Sequence, residues 1–438
     1  MNSREKLVKF LTELSRIILG ITFAFSGFVK AVDPLGFTYK IQDYLVSFDL
    51  PGLFPLALPA AVTLVVLEFS LGVFLLLGIY RKPTVRLAAV FMAIFLPLTL
   101  WIALKNPVKD CGCFGDALII SNWETFYKNI VLGVCAVVLL RYYPRIMPLF
   151  SVGSAWKAGA YTVVFGFAFS VYNVVKLPVF DFRPYHIGAN ITENMYIDPA
   201  KADVVENIFI YSKGGVEQEF TEEDYPWNDS TWTFVEMKTK LIQEGEKPRI
   251  EDFQVSALAY DSLLQGFVAG DDITQQLLSD TGYQFLMVSH SLEEMNKRHL
   301  DDFRKAAGFA QKKGYGFYCL TSSPVDSIEA WSARHPAGFR FAHADERVLK
   351  TMIRSNPGLL LLSGGNVINK WDDSEVPDFE SERGEELLKA KGWKMNFWGK
   401  LMVILLIFIV PLLLVKLEEF KGKRSGLPAI KKGYTKKI

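Results

Sequence analysis

The sequence contains few cysteines and has almost no net charge. Only four cysteines occur among its 438 residues, which excludes a scaffold held together by many disulfides. The 48 Lys and Arg residues are balanced by 47 Asp and Glu residues, so the formal net charge is +1. Because there is no overall basic field to attract a polyanion, we do not expect nucleic acid as a partner.

Hydrophobic residues, in contrast, are abundant. They make up 50% of the sequence, charged residues make up 22%, and the mean hydropathy is +0.19. This composition excludes a disordered chain, because so much apolar surface has to be buried. The mean hydropathy is also too high for an ordinary soluble protein of this length. It predicts a membrane part combined with a water-soluble part.

Six mostly apolar runs approach or exceed the length of about 20 residues that a helix needs to cross a bilayer. They cover residues 10–29, 56–80, 85–104, 123–140, 155–177 and 397–417. The first run follows Arg4, Lys6 and Lys9 but has no A-x-A cleavage pattern after it. We interpret it as a retained span rather than a signal peptide. The sequence therefore predicts a membrane α-helical bundle with six transmembrane helices in a lipid bilayer.

Basic residues are concentrated in segments that lie on the same side of a six-span chain. These segments are residues 1–9, 81–86, 141–145 and the tail 418–438. The positive-inside rule assigns that side to the cytoplasm. We therefore expect a multi-pass protein of a bacterial inner membrane with both termini in the cytoplasm. The loop 106–122 and the whole region 178–396 are then expected in the periplasm.

The soluble region divides into two parts and a linker. Residues 181–270 alternate strand-like runs with turn signals, which predicts a small β-rich module. Residues 271–375 contain predicted strands at 285–288, 316–321 and 340–343, helices at 292–313 and 345–355, and a final hairpin with a Gly364-Gly365 turn. That order is typical of an α/β domain. Residues 376–396 are interpreted as a linker to the sixth span.

The most informative motif is a pair of cysteines separated by one glycine. Cys111 and Cys113 belong to the run Asp-Cys-Gly-Cys-Phe-Gly-Asp between the third and fourth spans. Glycine relaxes the backbone, so the two thiols can close a small disulfide ring that suits exchange better than structural stapling. Half of a tetrahedral zinc site and a pair of idle thiols are the alternatives, and we expect no metal. The flanking carboxylates of Asp110 and Asp116 are expected to raise the thiol pKa.

The membrane part resembles the DoxX family and its MauE branch. The resemblance covers residues 14–141 and rests on the Phe-Ser-Gly-Phe-Val-Lys end of the first span, on Glu68, Gly72 and the run 75–78 of the second span, and on the Cys-Gly-Cys-Phe-Gly-Asp loop. It implies a four-helix bundle similar to vitamin K epoxide reductase and DsbB-type enzymes, with thiol redox work at Cys111 and Cys113. It also implies a quinone as the cofactor. The second, CxxC-type cysteine pair of those enzymes is absent, so electrons would pass to the quinone directly from this pair.

Glu68 falls near the middle of the second span. Burying a carboxylate within the membrane costs free energy, so its presence indicates a partner or a functional site. Arg16 and Lys30 in the first span are the candidate partners. A structural ion pair and a role in proton or quinone handling are both compatible with the pattern, and we take Glu68 and Lys30 as the candidate cofactor-binding residues.

The order of elements in residues 271–375 resembles the thioredoxin fold. In that fold a cis-proline opens the strand that faces the active site, as Pro357 is placed to do here. The position of the CxxC motif is occupied by the run from Ser289 to Glu294, which contains no cysteine, so dithiol exchange is not expected there. His290 is interpreted as a surface residue that caps the following helix, with a place in a binding cleft as the alternative.

The leading hypothesis is an inner-membrane thiol redox protein, a thiol-disulfide oxidoreductase that transfers electrons to a quinone. Residues 1–145 would form its four-helix bundle, 146–180 and 397–417 its fifth and sixth helices, and 181–375 a periplasmic region that holds a protein client. The alternative hypothesis is a non-enzymatic assembly or scaffold subunit of an envelope complex, anchored in the membrane and presenting a periplasmic binding module.

Overall fold

The computed structural model of the protein describes residues 3–108, 111–243, 245–261, 266–335, 339–389 and 395–424. The chain divides into two compact units, Met1–Arg183 with Trp393–Ile438, and Pro184–Gly392. Asp110, which flanks the cysteine pair, and most of the predicted basic tail, residues 425–438, lie outside the described residues.

The helices and strands of the described residues have the following bounds. The helices are α1 Ser3–Val32, α2 Pro34–Ser47, α3 Ala57–Leu77, α4 Arg81–Lys105, α5 Asn122–Tyr142, α6 Val152–Val175, α7 Ile191–Met195, α8 Thr274–Ser279, α9 Leu300–Lys313, α10 Val325–Arg334, α11 Glu346–Met352, α12 Glu382–Lys389 and α13 Phe397–Arg424. The strands are β1 Val204–Lys213, β2 Val216–Phe220, β3 Thr233–Gln243, β4 Ser256–Asp261, β5 Gly266–Asp272, β6 Gln284–Ser289, β7 Gly316–Thr321, β8 Arg340–His343, β9 Gly358–Ser363 and β10 Asn366–Asp372.

In the described part of the first unit, six helices are long and apolar enough to cross a membrane. They are α1, α3 with the turn that precedes it from Pro51, α4, α5 with its extension to Arg145, α6, and α13 as far as Lys421. These helices agree in number and order with the six predicted apolar runs, and the protein is a multi-pass membrane protein in a lipid environment.

Helix α2 is an element that hydropathy did not predict. It begins where Asp33 accepts a hydrogen bond from the backbone N–H of Gly36 at 2.9 Å, with Pro34 in the first helical position. An acceptor at the N-cap followed by proline is a favourable helix start. At 14 residues, α2 is too short to cross the hydrocarbon core, and it joins the first two spans.

Helices α1 and α3 approach each other so closely that two glycines are required. A Cβ atom on Gly72 would lie 2.1 Å from the backbone nitrogen of Ala24, and one on Gly27 would lie 2.4 Å from the backbone nitrogen of Phe69. Small residues permit this kind of backbone contact between membrane helices. The contact brings the polar side chains of the two helices into direct reach of each other.

Helices α6 and α13 are joined by polar contacts near their ends. The carboxylate of Glu419 accepts hydrogen bonds from the backbone N–H of Ser151 at 3.2 Å and from the hydroxyl of Ser154 at 2.8 Å. These groups lie at the start of α6, where backbone N–H groups have no partner within the helix. The side chain of Glu419 in α13 therefore caps the start of α6 and joins the two helices.

The second unit contains two β-sheets. The smaller has the strand order β2-β1-β3 and is antiparallel throughout. Strand β3 is exposed along its whole length, including five large apolar side chains, which are Phe234, Val235, Met237, Leu241 and Ile242. This sheet lies within the segment predicted to be a small β-rich module.

The larger sheet has seven strands in the order β10-β9-β6-β7-β8-β4-β5. Strands β6, β7 and β8 are parallel, and the pairs at either side are antiparallel. Every residue of β6 is buried, as expected for a parallel strand covered on both faces. The main core cluster joins β6 to α9, with Phe285, Met287, Phe303 and Phe309 among its members.

Most predicted elements of this α/β region are confirmed, and the residues of β7 and β8 agree with the prediction. The helix predicted from residue 292 instead begins at Leu300. Residues 292–299 are held irregular by tertiary hydrogen bonds, since the N–H of Leu292 donates to Ser323 Oγ and that of Asn296 donates to the carbonyl of Asn356.

Further elements differ from the prediction. The hairpin of β4 and β5, assigned by the sequence to the β-rich module, pairs with β8 and extends the larger sheet. Helix α10 between β7 and β8 was not predicted, and α12 lies within the predicted linker 376–396. Short amphipathic elements of this kind are stabilised by the surface on which they pack, so local pattern identifies them poorly.

Candidate functional site

The cysteine pair lies in a tight loop between α4 and α5. Gly112 and Gly115 have φ angles of +68° and +51°, a backbone region that glycine adopts without the strain other residues incur. Cys111 and Cys113 are free thiols, and their sulfurs lie 2.8 Å apart. Because a disulfide has a length of about 2.05 Å, only a small movement of the two sulfurs separates this pair from the oxidised state.

The loop packs against the end of α4 and against α2. Cys111 is buried, with 7% of its surface exposed, and Cys113 is half-buried. They form one cluster with apolar residues of α4, including Trp101 and Ile102, and with Tyr44 of α2. The hydroxyl of Tyr44 donates to the carbonyl of Cys111 at 3.0 Å. Cys111 is thus held in place by these contacts, and Cys113 is the less buried of the two residues.

A buried ion pair lies next to this loop. Lys30 Nζ is 2.8 Å from Glu68 Oε2, and the two side chains are 3% and 12% exposed. Lys30 also donates to Ser26 Oγ at 3.2 Å, and Ser26 Oγ in turn donates to the carbonyl of Cys113 at 2.5 Å. The polar network therefore continues from Glu68 in α3 through two residues of α1 to the backbone of the cysteine loop.

Two lysines set the electrostatic environment of the thiols. A hydrogen bond from the Cys111 thiol, followed by the charges of Lys128 and Lys30, lowers the pKa of Cys113 to about 6. The same hydrogen bond and burial raise the pKa of Cys111. Lys128 Nζ lies 4.2 Å from the centroid of the Phe114 ring, directly beside the loop. The cations of Lys30 and Lys128 thus lower the pKa of Cys113, whereas the sequence suggested that the carboxylates of Asp110 and Asp116 would raise the thiol pKa.

Replacing Lys128 by methionine is expected to shift the reactivity of Cys113 to higher pH. Alkylation requires the thiolate, so the wild-type rate should rise through a midpoint near pH 6. An ordinary cysteine has its midpoint near about 8.5. Loss of a neighbouring cation should move the midpoint up by about one pH unit. The pH–rate profile of iodoacetamide labelling of full-length protein in detergent measures this shift.

The matched control is Lys105→Met. Lys105 is exposed at the end of α4 and is not among the charges that act on the two thiols. Its replacement should leave the profile unchanged. An unshifted midpoint in Lys128→Met, or an equal shift in both variants, contradicts a specific effect of Lys128.

A narrow cleft adjoins the thiols, without space for a water-sized molecule. It is lined by both cysteines, Phe114, the apolar segment 118–120 and Thr125 of α5. Leu118 and Ile119 are 49% and 73% exposed, so part of the wall lies at the surface. Thr125 itself is 1% exposed, and its hydroxyl has no hydrogen-bond partner among the described residues.

The structure brings the four predicted site residues into one region and separates others from it. Of the two candidate partners of Glu68, Lys30 forms the pair, whereas Arg16 binds Glu13 and the last carbonyls of α3. Cys135 is buried within α5. Among the described residues no group of three or more His, Cys, Asp or Glu side chains could hold a metal ion.

Sequence reasoning missed four residues of this site, which are Ser26, Tyr44, Thr125 and Lys128. Lys128 lies six residues after Asn122 in a span that was otherwise read as apolar. A cation inside such a span was the signal that could have identified it. The other three have no distinctive local pattern, since hydroxyl side chains are common in membrane helices and loops.

The loop after β6 in the second unit contains hydroxyl, amide and carboxylate groups in place of thiols. Asn356 joins this loop to the turn before β9, accepting from Ser289 Oγ at 2.7 Å and donating to the carbonyl of Ser291 at 2.9 Å. The peptide bond between Asn356 and Pro357 is cis. Hydroxyls of Ser327, Ser323 and Ser291 lower the pKa of Glu293 to about 2.

His290 does not have the capping role that the sequence suggested. No helix begins beside it, because α9 starts at Leu300. Burial, with the charges of Lys350 and Arg354, lowers the pKa of His290 to about 4. It is therefore a neutral, partly buried imidazole at neutral pH.

Comparison with known families identifies two segments. Residues 8–142 match the family model of methylamine utilisation protein MauE, which covers less than half of the chain. Residues 205–244 match a domain of unknown function (DUF8463) and coincide with most of the three-stranded sheet. No curated protein and no solved structure matches the chain. The membrane region that contains the cysteine pair and the ion pair is thus MauE-like.

Proposed function

We propose that this protein, whose membrane region is MauE-like, is a thiol redox protein that cycles Cys111 and Cys113 between dithiol and disulfide. The observation that carries the proposal is the close pair of free thiols, of which Cys113 has a lowered pKa and is the less buried. A low-pKa, accessible thiol is the form that exchanges with disulfides. Cys113 is therefore the exchanging thiol and Cys111 the resolving thiol.

The reaction is disulfide exchange in two steps. The Cys113 thiolate attacks a client disulfide, a bond forms between Cys113 and one client sulfur, and the other client sulfur leaves as a thiolate. Cys111 then attacks Cys113, which forms the internal disulfide and releases the second client thiol. Two electrons pass from the pair to the client. The reverse sequence oxidises a client dithiol, and the membrane protein becomes reduced.

The family resemblance implies a quinone as the final electron acceptor. The described residues do not fit a quinone, because the cleft at the thiols has no space for a water-sized molecule, whereas sites for such ligands usually have about 300–1,000 Å³. In addition, Lys30 and Glu68 are already paired with each other. The contribution of these two residues is to hold the loop through Ser26 and to keep a positive charge near the thiols.

The proposed orientation places the cysteine loop and the second unit on the periplasmic side of a bacterial inner membrane. Support comes from the positive-inside rule, because the turn that begins at Arg81 and the stretch from Arg141 to Arg145 are both basic. An oxidising compartment favours disulfide chemistry.

The second unit would hold a client without exchanging electrons itself. Strand order β10-β9-β6-β7, the helix α9 between parallel strands and the cis-proline before β9 support a thioredoxin-like arrangement. Its cysteine, Cys319, is completely buried, and burial raises the pKa of this thiol. The loop 289–294 supplies hydroxyl and carboxylate groups where such a fold would carry reactive thiols.

A scaffold subunit is the second candidate function. It is favoured by the exposed apolar side chains of β3, which suit protein binding better than redox chemistry. In that case Cys111 and Cys113 would have no catalytic role, and the second unit alone would account for the function.

Trapping the thiols in intact cells tests the redox proposal. Cells are quenched with acid, and free thiols are labelled with a maleimide mass tag before and after treatment with a reductant. We expect both oxidised and reduced Cys111/Cys113 at steady state, and a shift between them when oxidant or reductant is added to the medium. A pair that stays fully reduced under all conditions contradicts the proposal and favours the scaffold function.

A further inference from the structure

Strand β3 is a long edge strand whose outer side has no neighbouring strand among the described residues. It has 11 residues, all of them exposed, and it pairs with β1 alone. Among the described residues, none of the backbone hydrogen bonds that join loops or separate elements involves β3. Every second residue of an edge strand points its N–H and C=O outward. The outer side of β3 is therefore open to pairing with another strand.

The charged side chains of β3 lie on one face of the strand. Its pairing with β1 is regular over residues 236–241, and successive side chains in such a stretch point to opposite faces. Glu236, Lys238 and Lys240 therefore share a face, and Glu236 and Lys238 form an ion pair of 2.8 Å along the strand. Met237 and Leu241 lie on the other face. The strand thus combines a charged face with an apolar one.

A second copy of β3 fits this charge pattern. Two copies related by a two-fold axis normal to the sheet pair antiparallel, and one residue then lies opposite its own copy. With Met237 on the axis, Glu236 of each copy lies opposite Lys238 of the other. Opposite charges that face each other across two strands stabilise the pairing. This register contains two such pairs and no pair of like charges within the regular stretch.

The other registers of the regular stretch lack this match. An axis at residue 236, 238 or 240 places a charged side chain opposite its own copy, and an axis at Thr239 places Lys238 opposite Lys240. Like charges that face each other are destabilising. An axis at residue 241 gives Glu236 no lysine in the other strand. Lysines on an edge strand oppose unspecific pairing, and here their positions select the register centred on Met237.

The apolar face of β3 and the anchoring of the chain favour the same association. Met237 and Leu241 are 51% and 52% exposed, and side chains that face each other across two strands have Cβ atoms about 4.5–5.5 Å apart. The two Met237 side chains on the axis would therefore cover each other. The second unit is joined to membrane helices at both ends of its chain. Copies in one membrane have a high effective concentration, so an interface of limited area is sufficient.

We infer that two copies of the protein associate through β3, with Met237 on the two-fold axis and Glu236 of each copy paired with Lys238 of the other. The two three-stranded sheets then form one continuous antiparallel sheet of six strands. This surface belongs to the second unit, so the inference is independent of the redox function proposed for Cys111 and Cys113.

Cysteine cross-linking in membranes tests the register. Met237→Cys and Thr239→Cys are made in full-length protein that also carries Cys111→Ser and Cys113→Ser, so that the native thiols do not compete. Thr239 is the matched control, because it is exposed on the same strand and face. In the inferred register its two copies lie about 13 Å apart along the strands. Copper phenanthroline oxidises the thiols, and non-reducing gels show the products.

We expect Met237→Cys to give a band at twice the monomer mass that disappears with reductant. Thr239→Cys should give at least about tenfold less of it, because its two thiols are too far apart for a disulfide. Equal cross-linking at both positions, stronger cross-linking at Thr239, or no dimer band at either position overturns the inference. Cross-links of Met237→Cys to a different protein also overturn it and indicate that β3 binds a foreign strand.

Charge reversal tests the pairing of Glu236 with Lys238. Lys238→Glu turns both attractive pairs into repulsive ones, so the dissociation constant of the dimer should rise about tenfold. The double variant Glu236→Lys, Lys238→Glu restores opposite charges and should return to within about twofold of the wild type. Lys305→Glu is the control, because Lys305 is exposed on α9, outside the three-stranded sheet. Sedimentation velocity of the full-length proteins in detergent gives the constants.

Three results of the charge series contradict the inference. They are a wild type that is monomeric at all concentrations, a dimer that Lys238→Glu does not weaken, and a double variant as weak as Lys238→Glu. The second result would indicate association through another surface, such as the membrane helices. The melting temperatures of all variants should agree with that of the wild type, because the exchanged side chains are exposed. A folded double variant keeps the test decisive if Lys238→Glu alone does not fold.

Discussion

Replacing Cys111 by serine is expected to trap the protein in covalent complexes with its exchange partners. Cys113 keeps its half-buried position and its lowered pKa, and it can still form a mixed disulfide with a client. The second step requires the Cys111 thiol, whose sulfur lies 2.8 Å from that of Cys113 in the wild type. Without it the mixed disulfide has no resolving thiol and accumulates. Non-reducing gels of acid-quenched membranes should show new high-mass bands that disappear with reductant.

The complementary variants define the specificity of this result. Cys113→Ser and the double variant should give no such bands, because the exchanging thiol is missing. Cys135→Ser serves as the control and should behave like the wild type, since Cys135 is buried in α5 away from the loop. Bands that persist in the double variant, or that are equally strong in Cys113→Ser, contradict the assignment of Cys113 as the exchanging thiol.

Replacing Lys30 by methionine is expected to destabilise the membrane unit strongly. Lys30 and Glu68 form a buried pair, and removing one partner leaves an uncompensated charge. Such a loss costs about 3–5 kcal/mol. The variant also loses the hydrogen bond from Lys30 to Ser26, which binds the carbonyl of Cys113. The melting temperature of the full-length protein in detergent and its expression level should both fall.

The double variant Lys30→Met, Glu68→Leu separates a structural role from a functional one. Apolar replacement of both partners removes the buried charge and should restore most of the stability. If the pair is purely structural, the pH profile of Cys113 alkylation will also return to that of the wild type. We expect instead that the profile stays shifted to higher pH, because Lys30 contributes a positive charge near Cys113. A wild-type pH profile of Cys113 alkylation in the double variant would contradict a functional role of the pair.

Local pattern was sufficient for the membrane elements and for most of the α/β region. Apolar runs of about 20 residues predict spanning helices because the thickness of the bilayer sets their length. The strand at 316–321 and the Gly364-Gly365 hairpin were predictable for a similar reason, since buried strands and tight turns have strong local signals. The start of α9 was not predictable, because the backbone N–H groups of residues 292 and 296 donate hydrogen bonds to Ser323 and Asn356, which keeps these residues out of the helix.

In the candidate site, too, local sequence predicted some features and tertiary contacts decided the others. The sequence by itself determined the cysteine pair, because one intervening glycine makes the two thiols neighbours whatever the rest of the chain does. It also indicated Glu68, since a carboxylate within a span requires a partner. Only the tertiary structure decided that the partner is Lys30 rather than Arg16, and that Ser26 connects the pair to the loop. The positions of Lys128 and Thr125 beside the thiols likewise depend on how α5 packs against residues 111–115. These contacts join residues far apart in sequence, and helix packing alone, through the close approach at Gly27 and Gly72, brings α1 and α3 near enough to form the network.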